Sequence, residues 1–222
     1  MNTYSTTRAR VEDYFDRSAT KVWERLCSDA PVSRIRQTVR EGRDAMRAMM
    51  LGQLPADLTG CRVLDAGCGT GLMTAELARR GAEVVAVDIS PQLIAIAEER
   101  LDPRFRAQVR FAAGDMADEA HGRFDHVIAM DSLIYYSGSD IAAILHRLGA
   151  RTHGKVVFTV APRTPFLMTF FTAGKLFPRA DRSPTMIPHA FESLAKRAGP
   201  GLDRVGRVSR GFYISECLEY RP

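Results

Sequence analysis

The run VLDAGCGTG (residues 63–71) sends an apolar stretch into Asp65 and then places glycines at 67, 69 and 71. Two more acids close apolar stretches of the same kind, Asp88 in VVAVDIS and Asp115 in FAAGDM. Glycines at such a turn let bare backbone N–H groups approach a ligand. A carboxylate about 20 residues further on accepts both hydroxyls of a ribose. To this point a dinucleotide would fit equally well. Two details separate the ligands: the spacing is G-x-G-x-G, not G-x-G-x-x-G, and Asp65 stands where a pyrophosphate would be repelled. A cation is favoured there instead, and S-adenosylmethionine carries both a sulfonium and an ammonium. Asp115 is then placed to accept from the adenine amino group. The plainer alternative makes Asp65 and Asp88 helix N-caps and Asp115 a turn residue. Three acids at successive strand ends, one beside a triple glycine, argue against it.

The elements that must hold these residues alternate. RVLDA (62–66), EVVAVD (83–88), VRFAAG (109–114), FDHVIAM (124–130) and GKVVFTVA (154–161) read as strands. LMTAELARR (72–80), SPQLIAIAEERL (90–101) and SDIAAILHRLGA (139–150) read as helices, the second opened by Ser90 as N-cap and Pro91 at its first position. This alternation implies a parallel sheet covered on both faces, with ligands beyond the carboxyl ends of its strands. After a helical HAFESLAKRAG, the runs LDRVGRVS and GFYISECLEYR, split at Arg210-Gly211, read as a closing antiparallel hairpin at the sheet edge. Ahead of the sheet, residues 8–28 and 33–54 read as two amphipathic helices, with Val11, Tyr14, Phe15, Val22, Trp23 and Leu26 on one stripe.

Composition bounds the rest. A chain of 222 residues with 45% hydrophobic content suits one domain with an appendage. No run of about 18 apolar residues occurs, and the N-terminus lacks the apolar core of a secretory signal. Four scattered cysteines without C-x-x-C spacing, and five histidines without an H-x-x-x-H pair, argue against a disulfide framework and a zinc site. No protein-bound metal is expected, and a reducing cytoplasm fits. Charge is uneven: 10 − 8 = +2 for residues 1–60, 9 − 13 = −4 for 61–150, and 12 − 5 = +7 for 151–222. The basic C-terminal third suits an anionic partner. The fourth strand leads into MDSLIYY without the Asn/Asp-Pro-Pro-aromatic tetrad of many nucleobase methyltransferases, and no basic–aromatic interleaving points to nucleic acid. A small-molecule acceptor is favoured.

VLDAGCGTG, VVAVDIS, FAAGDM and FDHVIAMDSLIYY together resemble the class I S-adenosylmethionine-dependent methyltransferases, in that family's order and spacing. The resemblance implies a Rossmann-like α/β fold, a mostly parallel seven-stranded sheet with helices on both faces and an N-terminal helical cap. It implies that Asp65, Gly67, Cys68, Gly69 and Gly71 flank the methionine part, Asp88 and Ile89 the ribose, and Asp115 and Met116 the adenine. Asp131 joins the cofactor site through the fourth motif. Wider features, VEDYFDRSATKVWERL, VREGRDAM, LIYY, APRTPFLMTFFTAGKLFPRADRSP and RGFYISECLEYRP, resemble the magnesium protoporphyrin IX O-methyltransferases of (bacterio)chlorophyll synthesis.

That narrower resemblance implies methyl transfer to one propionate of magnesium protoporphyrin IX, with magnesium arriving in the substrate. It implies a cap at 1–58, a cofactor-binding core at 59–222 and a lid-like insertion at about 162–187. Within the insertion Phe166 and Phe170 offer apolar surface, and Lys175 and Arg179 offer charge, to a flat macrocycle with anionic propionates. Tyr14 and Tyr135 are the candidates for orienting the attacking carboxylate, although relatives often carry histidine where Tyr135 stands. Arg40 is the candidate for the cofactor's carboxylate. An ionised propionate requires no general base. Delivery by the magnesium-chelatase large subunit and peripheral contact with the photosynthetic membrane are further implications. Two other readings stay open on the residues alone: methylation of another apolar anion, such as a quinone precursor or fatty acid, and a cofactor-binding module without chemistry.

Overall fold

The computed structural model describes residues 3–15, 34–169 and 185–222. Strands β1 (Arg62–Ala66), β2 (Glu83–Asp88), β3 (Val109–Ala113), β4 (His126–Ala129) and β5 (Val156–Val160) pair in parallel. A hairpin of β6 (Leu202–Arg210) and β7 (Tyr213–Tyr220) completes a seven-stranded sheet in the order β3-β2-β1-β4-β5-β7-β6. The hairpin closes one edge, with β7 antiparallel between β5 and β6.

Helices cover both faces. α2 (Arg34–Leu51), α3 (Leu72–Arg79) and α4 (Pro91–Arg100) contribute Met46, Met50, Leu77 and Ile94 to one core, against Val63, Val84 and Ile128. α5 (Gly138–Gly149) and α6 (Phe191–Ala198) contribute Ile141, Leu145 and Leu194 to the other, against Leu64, Val85 and Val127. Val63 and Leu64, Val84 and Val85, Val127 and Ile128 therefore point to opposite faces in turn. A strand buried on both sides needs a continuous apolar run, which is why these strands show no polar alternation.

The starts of α4 and α5 are locally encoded. Ser90 accepts from Leu93 N at 3.4 Å with Pro91 next in line, and Ser137 accepts from Asp140 N at 3.2 Å. Strand β4 is shorter than FDHVIAM implied: Phe124 makes only an isolated bridge to Thr152, and pairing ends at Ala129. The N-terminal helix begins earlier than the expected 8–28, whose residues beyond 15 lie outside the described ones. α1 spans Thr3–Tyr14, because Tyr4 and Arg8 find partners across the molecule that periodicity does not register. Val22, Trp23 and Leu26 of the expected stripe lie outside the described residues.

β1 is flanked by β2 on one side and β4 on the other, so connections leave its end in opposite directions. The crevice this opens at the carboxyl ends of the strands is where ligands of open α/β sheets bind.

Candidate active site

A cleft of ≈ 980 Å³, its open mouth included, occupies that position. Asp65 (end of β1), Asp88 (end of β2), Asp115 (after β3) and Asp131 (after β4) all line it, with Gly67, Cys68, Gly69, Ile89 and Met116. The structure thus gathers most of the residues that the sequence singled out.

The turn after β1 is pinned to β2. Gly67 N and Cys68 N donate to Val87 O at 2.7 and 3.0 Å, and Gly69 N donates to Asp88 Oδ2 at 2.8 Å. Gly67 has φ 83, and a Cβ there would stand 2.3 Å from Ser132 Cβ, so both conformation and space demand glycine. At Gly69 (φ 55) a Cβ would meet nothing within 4 Å. That backbone faces open cleft, the cradle a ligand would fill. Gly71 stands behind the cleft wall, at the N-cap of α3 and against Ala97.

None of the three acids is a helix N-cap. Asp65 is 1% exposed and accepts from Thr74 Oγ1 at 2.6 Å. Burial raises its carboxyl to about 7, against the opposing pull of the Thr74 hydroxyl, and the nearby Asp88 charge adds to the rise. An acid so poised gains by meeting a cation. Asp88 accepts from Ser90 N at 3.0 Å on Oδ1 and from Gly69 N on Oδ2, which aims both oxygens. Asp115 is a turn residue as well as a cleft residue: Oδ1 accepts from Ala117 N at 2.8 Å. Burial raises the Cys68 thiol, with Asp88 and Asp65 adding, so it stays protonated and inert.

The roof of the cleft comes from α1. Tyr4, Arg8, Val11 and Phe15 fall on one helical face and line the cleft together. Tyr4 Oη donates to Asp115 Oδ1 at 2.5 Å, Arg8 Nη1 donates to Oδ2 at 3.2 Å, and the Tyr4 ring stacks on Tyr136 with centroids 5.3 Å apart. Tyr135, 8% exposed, lines the cleft and meets Phe15 edge-on at 6.3 Å. Tyr14 does not line it. Its ring is half-buried against Phe15, 5.2 Å between centroids. No histidine lines the cleft either, although all five are among the described residues.

Arg40 also stands outside the lining, and the arginines that α2 presents to the cleft are Arg43 and Arg47, one turn apart. The burial of Met46 and Met50 fixes the inward face of the helix and brings positions 43 and 47 to the cleft, whereas position 40, two turns before 47 on the same face, does not line it. Phe166, 46% exposed, does not line the cleft, and Phe170, Lys175 and Arg179 lie outside the described residues. The two ends of the expected insertion are tied together: Arg163 N donates to His189 O and His189 N to Ala161 O, each at 2.8 Å. Its returning end is tied to the segment bearing Tyr135, with Ile187 N donating to Ile134 O at 2.8 Å.

Against known proteins, the family described as Magnesium-protoporphyrin IX methyltransferase C-terminus matches residues 129–222, and a general Methyltransferase domain matches residues 63–152. A Magnesium-protoporphyrin O-methyltransferase of Rhodobacter capsulatus is 66% identical over 220 residues, covering 99% of this chain and 98% of the relative. The chain belongs to the magnesium-protoporphyrin O-methyltransferase family. Membership extends to the fold: the crystal structure of magnesium protoporphyrin IX methyltransferase from Synechocystis PCC 6803 with bound SAH superposes with a TM-score of 0.81. It shares 28% identity, over 97% of this chain and 100% of that one. A Ubiquinone biosynthesis O-methyltransferase of Xanthomonas oryzae pv. oryzae is 34% identical over 135 residues, 55% of this chain and 54% of the relative.

Sequence reasoning missed Tyr4, Arg8, Arg43, Arg47 and Tyr136 as cleft residues. For the second pair a signal existed. Arg43 and Arg47 are four apart on a helix whose apolar positions 46 and 50 fix the inward face.

Proposed function

We infer that the protein transfers a methyl group from S-adenosylmethionine to a propionate carboxylate of magnesium protoporphyrin IX, giving the monomethyl ester. The observation that carries this reading is the end-to-end relationship at 66% identity, spanning cap, cofactor turn and C-terminal hairpin alike. The cleft suits the donor. Asp65 offers its charge to the sulfonium and ammonium, Asp88 its aimed oxygens to the ribose, and Asp115 with Met116 frames the adenine. Gly69 supplies the bare backbone they surround.

The donor supplies a methyl carbon made electrophilic by its sulfonium. A propionate oxygen forms the new O–C bond as the C–S bond breaks, leaving an ester and S-adenosylhomocysteine; no proton moves. An ordinary carboxyl titrates near 4 to 5, so the nucleophile is already ionised at neutral pH. The residues' work is to desolvate and aim it. Tyr135, on the cleft wall among Phe15, Leu93 and Val11, is placed to donate to the non-attacking oxygen.

The same reading makes residues 1–58 a cap and 162–187 a lid for the macrocycle. Its support is α1 lying over the strand ends and the tie between Ile187 and Ile134 beside Tyr135. It places the protein in the cytoplasm, receiving the poorly soluble macrocycle from the magnesium-chelatase large subunit and touching the photosynthetic membrane peripherally. The 12 − 5 = +7 charge of residues 151–222 supports an anionic surface or ligand. Among the described residues no helix is long and apolar enough to cross a membrane. The deciding experiment incubates purified protein with methyl-labelled S-adenosylmethionine and magnesium protoporphyrin IX. Labelled monomethyl ester is expected, and its absence would refute the reading.

A further inference from the structure

Tyr213 opens the last strand, 82 positions from Asp131, yet its hydroxyl stands 3.0 Å from Asp131 Oδ1 and 3.3 Å from Oδ2. Thr159 of β5 grips the same residue, donating to Oδ1 at 3.2 Å and accepting from Asp131 N at 2.7 Å. Among the described residues Asp131 is the one non-glycine with positive φ, 56°. Backbone in that region persists where the surroundings over-determine it, and such residues cluster at functional sites. Here Thr159 and Tyr213 are the determinants.

What the arrangement presents to the cleft is Arg43. Its Nε stands 3.6 Å from Asp131 Oδ2, and its side chain is 17% exposed. Gly42 makes the approach possible: a Cβ there would stand 2.7 Å from Tyr213 Cδ1, so only glycine lets α2 lie against that ring. Arg43 and Asp131 line the cleft, whereas Tyr213 and Thr159 stand behind it. Asp131 accepts two hydroxyl contacts and faces a guanidinium, so its carboxylate is directed into the protein. A guanidinium carries five N–H donors in a fixed fork, so one acid can hold it while a second carboxylate meets another edge.

We propose that Tyr213 is a positioning residue which, through Asp131, holds Arg43 as the cleft's receptor for an incoming carboxylate. Two carboxylates enter this cleft under the methyl-transfer reading, on which this inference rests: the amino-acid carboxylate of the donor and the propionate of the acceptor. Burial raises the Tyr213 phenol, and the Asp131 charge adds to the rise, so the hydroxyl remains a donor at working pH.

Calorimetry on the full chain with S-adenosylhomocysteine and with its decarboxylated analogue tests the receptor, beside KM measured with magnesium protoporphyrin IX. If the donor is the source, R43Q weakens S-adenosylhomocysteine at least about tenfold and the decarboxylated analogue less than about twofold. If the acceptor is the source, both nucleosides bind R43Q as they bind the wild type, and KM for the porphyrin rises about tenfold. Y213F, which keeps the ring against Gly42, should shift the same ligand in the same direction by roughly threefold, and R43K should recover part of the R43Q loss. Equal losses on the two nucleosides, or no change in any ligand, would overturn the proposal. A wild type that makes no porphyrin ester, yet shows the R43Q discrimination between nucleosides, would sink the reaction and keep the receptor.

Discussion

Tyr4 and Asp115 are 111 positions apart and joined by a hydrogen bond of 2.5 Å from the phenol to Oδ1. Arg8 reinforces it from the next turn of α1, so the N-terminal helix is fastened over the end of β3. Burial and the Asp115 charge raise the Tyr4 phenol, which therefore stays a donor. Removing the hydroxyl deletes a bond to a charged acceptor, a class worth about 1.5–3 kcal/mol. Tyr4→Phe is expected to speed S-adenosylhomocysteine dissociation by about tenfold, roughly 1.4 kcal/mol. Stopped-flow displacement measures it. A rate equal to wild type would mean that the fastening does not restrain the ligand.

Asp88 aims both carboxylate oxygens by accepting from Gly69 N and Ser90 N. Asp88→Ala should weaken S-adenosylmethionine by about 1–3 kcal/mol, because the ribose hydroxyls lose an ionised acceptor. Unchanged affinity by calorimetry would remove Asp88 from the ribose site. NAD should not compete, since Asp65 repels a pyrophosphate.

Asp65 should make cofactor binding depend on pH. Burial, the largest cause, lifts its carboxyl to about 7, above the ordinary carboxylate range. A cationic ligand stabilises the ionised form, so affinity should rise with pH up to and through about 7 and then level off, with a proton released on binding at pH 6. The sign for stability is opposite. The folded carboxyl holds its proton more tightly than the unfolded one, so this contribution is fully present below the unfolded value near 4 and is lost as pH rises through about 7. Asp65→Asn should flatten both trends. Calorimetry in two buffers of different ionisation enthalpy reads the proton, and a heat independent of buffer at pH 6 would refute the assignment.

Tyr135 lines the cleft and Tyr14 does not, so the two phenols should separate in kinetics. Tyr135→Phe is expected to lower kcat by roughly tenfold to a hundredfold, about 1.4–2.7 kcal/mol, with cofactor affinity nearly intact. Tyr14→Phe should cost less. The reverse order would move the orienting role to Tyr14. In the wild type, kcat/KM for the cofactor should carry the Asp65 limb, and no limb should vanish in a histidine variant. One that did would establish a general base.

The sequence by itself determined whatever is written within a few residues. Glycines at 67, 69 and 71 and the acids at 65, 88 and 115 were legible because turns, strand ends and the β/α alternation are local properties. Ser90-Pro91 announced the start of α4 for the same reason. The parallel arrangement then required Asp65, Asp88 and Asp115 to converge at one end of the sheet. Only the tertiary structure could decide which side chains come over that end. Tyr4 and Arg8 meet Asp115 from 111 and 107 positions away, and Tyr213 reaches Asp131 from 82. Neither pairing leaves a periodic trace, because an exposed-looking tyrosine in YSTTRAR gains its partner only when α1 lies across the strands. The choice of Arg43 over Arg40 has the same origin. Both sit on one helix, and only the way that helix lies across the sheet decides which of its turns reaches the cleft.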